Sequence, residues 1–219
     1  LKVLADPTVE EVRRDTYGGL HALCENVVRT DFDGRYTIVR PTYLVGPGDD
    51  TDRFTYWPWR MSQGGDMLAP GTPDDPIQYL DVRDLARFVI ACATTPHRGV
   101  FNACSPPGFA TIGQLLETSR DVTGAKTKVH WADAQFLKAQ GVLDGPGLPI
   151  WRPPVGPTAG AALVSSARAV AAGLRFTPLE DTVRATLDWH RARPAAERDK
   201  LQAGLTLEAE AGLLAKRRN

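Results

Sequence analysis

Tyr17 and His21 are two side chains whose types and spacing suit proton-transfer chemistry. They lie four residues apart in the segment YGGLHALCE, and residues at positions i and i+4 project from the same face of a helix. A tyrosine phenol in such a pair can give or take a proton, while a cationic neighbour lowers the pKa of that phenol. This spacing also occurs in ordinary surface helices, so the interpretation depends on the elements that follow the pair.

A second group of candidates is aromatic. The segment DRFTYWPWRM brings Arg53, Tyr56 and Trp57 together, and Trp151 follows in a stretch rich in proline and glycine at residues 141–160. Long irregular segments in a compact domain often line a binding site, so the stretch at residues 141–160 is a candidate to line one. Packing of the loops onto the domain is the alternative for the tryptophans.

Two polar groups are expected to have structural roles. Asp81, Arg83 and Asp84 stand where a strand passes into a helix, a position that favours an N-cap with local ion pairs. Asp188 and His190 flank one residue of a predicted C-terminal helix, so they point to different faces and are expected to be exposed to solvent.

The elements that would position these residues alternate between strand and helix. A helix is predicted to begin at Asp15 or Thr16, with an apolar stripe formed by Leu20, Leu23, Cys24, Val27 and Val28. Residues 50–76 form a long irregular excursion with one short helix at 57–65. Strands are predicted at 36–45, 77–82, 99–104 and 128–132, and further helices at 83–95, 111–124, 133–142, 165–174, 179–191 and beyond Thr206. Such alternation is typical of an α/β fold with a mainly parallel sheet.

Composition narrows the functional classes. The 219 residues carry 26 basic and 26 acidic side chains, so neither a nucleic-acid-binding surface nor a membrane-surface patch is indicated. Three widely spaced cysteines predict buried free thiols rather than disulfides, and the four histidines lack the spacing of a metal site. Without a long apolar run or a signal peptide, the sequence predicts a soluble protein of the cytoplasm.

The order of these features resembles the C-terminal part of the extended short-chain dehydrogenase/reductase family, the NAD-dependent epimerase/dehydratase group, in its bacterial branches. In that family a helix with Tyr-x-x-x-Lys precedes a strand that ends in Arg-Pro and a Gly-Pro loop. Here YGGLHALCE is followed by TIVRPTYLVGP, IQYLDVRDLARFVI, GVFNACSP and AAGLRFTPLEDTVRATLDW. The resemblance covers about residues 17–189.

The resemblance implies the C-terminal portion of a Rossmann-type doubly wound parallel sheet with a small substrate-binding lobe. Residues 1–48 would supply the last helix and strand of the dinucleotide-binding core. Residues 49–219 would form the substrate-binding lobe, with returning core elements at about 77–122 and the C-terminal helices. A homodimer is expected by analogy with the family.

The resemblance also assigns candidate site residues. Tyr17 falls at the position of the catalytic tyrosine, and His21 falls where the family has lysine. Pro41, Thr42 and Tyr43 fall where the chain passes the nicotinamide. With Tyr17 and His21, these residues would contact NAD or NADP, and the expected activity is that of an oxidoreductase or epimerase on a carbonyl or alcohol. The segments with Arg53, Tyr56, Trp57 and Trp151 fall where the family builds its substrate pocket, so these residues are the implied contacts for an apolar or aromatic substrate. No glycine-rich pyrophosphate motif occurs in the sequence, so a complementary N-terminal fragment is a further expected partner.

Two differences from the family leave other functions open. Histidine at position 21 is shorter than lysine, and histidine ordinarily titrates near pH 6.5 rather than above pH 10. Nucleotide-sugar members have an Arg-Asp pair before the strand IQYLDV, where this chain has Pro76-Ile77-Gln78. A non-catalytic binding module that has lost cofactor binding, and a non-redox isomerase or cyclase that uses the same pocket, therefore remain alternatives.

Overall fold

The computed structural model describes residues 8–13, 15–95, 97–143 and 147–218, and in these residues nine α-helices are interleaved with eight strands. The helices are α1 (Tyr17–Phe32), α2 (Tyr56–Ser62), α3 (Val82–Thr94), α4 (Ile112–Thr123), α5 (Ala134–Ala139), α6 (Ala167–Ala171), α7 (Leu179–Arg191), α8 (Ala195–Arg198) and α9 (Leu207–Arg218). The strands are β1 (Thr37–Pro41), β2 (Tyr43–Val45), β3 (Gly65–Pro70), β4 (Pro76–Ile77), β5 (Tyr79–Asp81), β6 (Gly99–Ala103), β7 (Ala110–Thr111) and β8 (Thr127–Ala132).

Most of the strand pairing is parallel, as the alternation of elements predicted. β1 pairs with β6, β2 with β5 and β3 with β8, all in parallel, while the short β4 and β7 are antiparallel. The predicted strand at 36–45 is interrupted at Thr42, so its first half pairs with β6 and its second half with β5. Among the described residues, β1 has no strand on its other side.

Buried apolar residues form two clusters. The larger one lies between β3, β8 and helices α2, α4, α7 and α9, and its largest side chains are Trp57 and Trp151. The smaller one packs α3 and α6 against β5 and β6 around Phe88 and Phe101. The division into residues 1–48 and 49–219 stays a prediction, and residues 1–7 lie outside the described part of the chain.

Helix α9 is attached to the rest of the protein by a buried ion pair. The Arg60 Nε of α2 donates to Glu210 Oε2 at 2.7 Å, and the backbone amide of Leu68 donates to Glu210 Oε1 at 2.9 Å. The side chains of Arg60 and Glu210 are 6% and 2% exposed. Arg60 also donates to the carbonyl oxygens of Gly64 and Asp66, so each of its nitrogens has an acceptor.

The structure corrects the prediction for α1. The buried residues of this helix are Gly19, Ala22 and Glu25, whereas Cys24 is exposed and Val27 is 58% exposed. Leu20, Leu23 and Val28 of the predicted stripe are half-buried, but none of the stripe residues belongs to either buried cluster, and Cys24 is not a core thiol.

A second correction concerns residues 50–76. The structure contains the predicted short helix, at Tyr56–Ser62, but it also contains β3 at Gly65–Pro70. This strand was not predicted because GDMLAP shows no alternation and is bounded by glycine and proline. None of the described helices combines the length and the apolar character that crossing a bilayer would require.

Candidate functional site

A cavity of about 600 Å³ lies where α1, the end of β1 and the loop after β2 meet. Its lining residues are Tyr17, Pro41, Thr42, Tyr43, Leu44, Val45, Pro47, Gly48, Asp49, Asp50, Thr51, Arg53 and Val82. The structure thus brings together Tyr17, the three residues expected to pass the nicotinamide, and Arg53. This cavity lies at the carboxyl end of a parallel strand, which is the usual place for ligand sites in α/β sheets.

The backbone after β1 forms one wall of the cavity. Pro41 has no amide hydrogen to donate, and the Thr42 amide donates to the Ala103 carbonyl oxygen at 3.3 Å, so the ladder to β6 ends here. Beyond β2, Gly46 and Gly48 have φ of 108° and 90°, a conformation that favours glycine. These two residues let the chain turn sharply and bring residues 49–53 back to the cavity.

Helix α1 is fixed to β1 by a carboxylate and a guanidinium. Arg40 donates from Nε to Glu25 Oε1 at 2.6 Å and from Nη2 to Glu25 Oε2 at 2.5 Å, and Arg29 Nη2 lies 3.2 Å from the same carboxylate. These hydrogen bonds from Arg40 hold the pKa of Glu25 below its usual value. Arg40 belongs to the Arg-Pro motif, so the motif places the end of β1 beside the helix that carries Tyr17.

Tyr17 and His21 are in direct contact. Their rings meet edge to face with centroids 4.5 Å apart and an angle of 73° between planes. Tyr17 is 57% exposed and lines the cavity, whereas the exposed His21 contacts the tyrosine ring without being part of the cavity lining. The i, i+4 geometry predicted from the sequence is confirmed, and its chemical role stays a prediction.

Two aspartates fix the conformation of the loop that follows β2 and lines the cavity. Asp49 Oδ2 accepts from the amides of Phe54 and Thr55 at 2.9 and 3.0 Å. Asp52 is fully buried with φ of 54°, and its Oδ1 accepts from Arg193 Nη1 at 2.6 Å. The loop is therefore tied both to α2 and to the segment after α7, with Arg53 facing the cavity between these two fixed points.

The three aromatic residues predicted as substrate contacts do not reach this cavity. Trp57 is fully buried and donates from Nε1 to the Pro149 carbonyl oxygen at 3.0 Å, and Trp151 donates from Nε1 to Asp75 Oδ2 at 2.8 Å. Tyr56 is 1% exposed and borders a different cavity near residues 199–207. Their positions correct the expectation: the two tryptophans pack the large core, because their rings remove apolar area from water while each indole N–H keeps an acceptor.

The polar junction at β5 and α3 has the structural role expected of it. Asp81 accepts from the Arg83 amide at 2.9 Å as the N-cap of α3, and it also binds the Arg83 guanidinium and the Thr182 hydroxyl. Burial opposes ionisation of Asp81, but these hydrogen bonds outweigh burial and hold its pKa below the usual value. Asp84 pairs with Arg87 on the same helix.

The prediction for His190 is wrong. Its side chain is fully buried, its ring packs against Trp59 with centroids 4.7 Å apart, and Arg193 Nη1 lies 3.3 Å from Nδ1. Burial lowers the pKa of His190, and the nearby Arg193 lowers it further. The described residues contain no cluster of three or more histidine, cysteine or carboxylate side chains that could hold a metal ion.

The residues that hold the elements around the cavity in place were not predicted from the sequence. Glu25 lay in a helix that was interpreted through its apolar residues. Asp49 follows the Gly-Pro turn after the predicted strand, and Asp52 was part of a segment described only as irregular. The one available signal was Arg40, because an arginine at the end of an apolar strand requires an acceptor.

The chain matches no protein-family model, and no curated protein matches its sequence. Solved structures are similar to it in fold. RMD from Pseudomonas aeruginosa, complexed with NADPH, has a TM-score of 0.56 at 18% identity, over 87% of this chain and 60% of that one. UDP-glucose 4-epimerase from Thermus thermophilus, in complex with NAD, has a TM-score of 0.55 at 16% identity, over 86% of this chain and 60% of the other.

A third similar structure is a GDP-L-fucose synthetase from Naegleria fowleri bound to NADP, with a TM-score of 0.54 at 17% identity, over 83% of this chain and 51% of the other. The chain thus spans half to three fifths of the length of these three proteins. At these identities the similarity shows the fold: a mixed α/β arrangement that matches part of Rossmann-like epimerases and reductases.

Proposed function

We propose that this chain carries the proton-transfer and substrate-facing part of an NAD(P)-dependent oxidoreductase or epimerase of the short-chain dehydrogenase/reductase type. The observation that carries the proposal is the convergence of Tyr17, Pro41, Thr42 and Tyr43 on one cavity at the carboxyl end of β1. Three solved structures of the same fold are complexes with NADPH, NAD or NADP, which supports a nicotinamide cofactor.

Tyr17 is the proposed catalytic acid and base. Its phenol reaches the cavity from a helix that the Glu25–Arg40 pair holds in place. In reduction, Tyr17 Oη donates its proton to a substrate carbonyl oxygen, and in oxidation it takes the proton from the alcohol. A bound nicotinamide would exchange a hydride with the substrate carbon. His21 touches the Tyr17 ring and, when protonated, would stabilise the phenolate.

The residues around the cavity fit the nicotinamide end of the cofactor. Pro41, Leu44 and Val82 offer apolar walls to a flat ring, and Tyr17 stands beside them. These 219 residues contain no glycine-rich motif that could bind the pyrophosphate of the cofactor. We therefore propose that polypeptide additional to this sequence completes the cofactor site, as an upstream part of the same protein or as a complementary fragment.

The open side of β1 supports the placement of that additional polypeptide. Within the described residues β1 pairs only with β6, and all five of its residues are half-buried or exposed. Such an edge presents unpaired amide and carbonyl groups to any strand that docks there. The exposed side of α1, with Val27 at 58% and Phe32 at 51% exposure, supports a packing partner there, such as a second copy in a homodimer.

The proposed substrate is a small carbonyl or alcohol compound rather than a nucleotide sugar. At the position of the Arg-Asp pair, this chain has Ile77, which is 1% exposed, and Gln78. Gln78 Nε2 donates to the carbonyl oxygens of Ser105 and Val164, both at 2.7 Å, so it has a structural role. Among the described residues that line the cavity, Arg53 is the one cation, and it is the proposed contact for a polar substrate group.

The experiment that tests this proposal is a titration of the full encoded protein with NADH and NADPH, followed by nicotinamide fluorescence. We expect saturable binding of at least one of them, tighter in the His21→Lys variant because lysine is longer and carries a full charge at neutral pH. Absence of binding in both proteins would overturn the proposal and favour the non-catalytic module or the non-redox enzyme.

A further inference from the structure

A second cavity lies between α5 and the segment of residues 152–158, and shares no residue with the candidate site. Its volume is about 490 Å³, which falls in the range of small-molecule sites. Leu143, Pro153 and Val155 supply apolar walls, and the Val155 side chain is 61% exposed. An exposed β-branched side chain on a preformed concave wall is available to an apolar ligand.

The polar groups at this cavity are cationic. Lys138 and Arg152 both line it, and no carboxylate occurs among its described lining residues. The neighbouring Asp133 is the N-cap of α5, where Oδ1 accepts from the Phe136 amide at 2.8 Å, and it forms no ion pair with Lys138 or Arg152 in the described part of the chain. The sequence contains no acidic residue from position 145 to position 179, and Asp144, which follows the lining residue Leu143, lies outside the described residues.

Neither cation is neutralised within the described part of the chain. Arg152 is half-buried, and its one hydrogen bond there runs from Nη1 to the carbonyl oxygen of Trp151 at 3.0 Å. Lys138 is exposed and has no ion pair or hydrogen bond among the described residues. A guanidinium with free donors matches the geometry of a carboxylate, and an ammonium group lining the same cavity adds to the positive charge that would attract it.

We propose that this cavity binds an amphipathic carboxylate, with the carboxylate held by Arg152 and Lys138 and the apolar tail against Leu143, Pro153 and Val155. The combination selects against two simpler ligands. A small anion would leave the apolar walls in water, and a neutral apolar molecule would leave the two cations without a counter-charge. Because no residue is shared with the cavity at Tyr17, the proposal does not rest on the proposed function.

The test is isothermal titration calorimetry of the protein with decanoate, with decanol and acetate as matched neutral and tail-free probes. We expect decanoate to bind at least about tenfold more tightly than either probe, a difference of about 1.4 kcal/mol. Equal binding of decanol would show an apolar surface only. Equal binding of acetate would show non-specific charge attraction. Either result, or no binding of decanoate, overturns the proposal.

Variants localise the binding. Arg152→Gln and Lys138→Gln should each weaken decanoate binding at least about threefold, while Arg175→Gln, on the same acid-free stretch but outside the cavity lining, should leave it unchanged. Because Arg152 is half-buried, Val155→Asp is a second test on an exposed position: it adds negative charge to the apolar wall and should abolish binding. Unchanged affinity in Lys138→Gln and Val155→Asp contradicts the proposed site.

Discussion

Substitution of Glu25 by glutamine should weaken the attachment of α1 to β1 and thereby destabilise the protein. The carboxylate accepts two hydrogen bonds from Arg40 and one from Arg29, and its side chain is 11% exposed. A hydrogen bond to a charged group contributes about 1.5 to 3 kcal/mol when buried. The Arg40 side chain is 34% exposed and Arg29 is 42% exposed, so solvent screening reduces the sum. We expect the free energy of unfolding to fall by about 2 kcal/mol.

The assay is urea denaturation of the wild type, Glu25→Gln, Arg40→Gln and the double variant. At an m-value of about 2 kcal/mol/M, the expected loss lowers the urea midpoint by about 1 M. The double variant should lose less than the sum of the two single changes, by about 1 kcal/mol or more. Additive effects, or a loss in Glu25→Gln below about 0.5 kcal/mol, would refute the claim that this pair fixes the helix.

The pH dependence of the same pair has a defined sign. Because Arg40 lowers the pKa of Glu25 in the folded protein, the unfolded chain takes up the proton first as the pH falls below its usual pKa of 4.5. The contribution is therefore complete above that pH and is lost as the pH falls through the lowered value. The difference in stability between wild type and Glu25→Gln should shrink over this window.

Three further changes test the packing of the C-terminal half. Glu210→Gln breaks the fully buried pair that attaches α9 and should cost about 3 kcal/mol in urea denaturation; a loss below about 1 kcal/mol contradicts this role. Gly204→Ala should cost at least about 2 kcal/mol, because φ is 99° and a Cβ would lie 1.9 Å from the Tyr56 ring. The control is Gly212→Ala on α9, where a Cβ meets no atom within 4 Å and the change should not destabilise the protein. Similar losses of stability in the two variants would refute the predicted clash. Because burial lowers the pKa of His190, the free energy of unfolding should decline as the pH falls below about 6.5. His190→Gln should flatten that decline, and an unchanged dependence of stability on pH in this variant would contradict the assignment to His190.

The alternation of strands and helices could be predicted from the sequence, and so could the order of the elements after Gly99. Segments such as IQYLDV and TIGQLLETSRDVTG carry their own periodicity and capping residues, and Thr111 and Gln114 form a capping box at the start of α4. Strand β3 could not be predicted from the sequence, because GDMLAP becomes a strand only through its pairing with β8. Tertiary contact overrides weak local preference there.

The candidate site was predictable in its positions but not in its supports. Tyr17, Pro41 and Tyr43 could be placed because their motifs follow one another in the order found in the family that the sequence resembles. The Glu25–Arg40 pair spans 15 residues and depends on how α1 lies on the sheet, which no local pattern encodes. The burial of Trp57 had the same origin, since its acceptor is 92 residues away in the chain.

Comparison of Tyr17→Phe with Tyr36→Phe is the decisive test of whether Tyr17 transfers the proton. Tyr36 lies outside the cavity and is the matched control for removal of a phenol hydroxyl. The measurement is the rate of NADH or NADPH oxidation by the full encoded protein in the presence of aldehydes and ketones, together with the urea midpoint of each variant. We expect Tyr17→Phe to lower turnover by about a thousandfold at unchanged stability, and Tyr36→Phe to retain the turnover of the wild type. Equal turnover in Tyr17→Phe and wild type would contradict the assignment of Tyr17 as the proton-transfer residue.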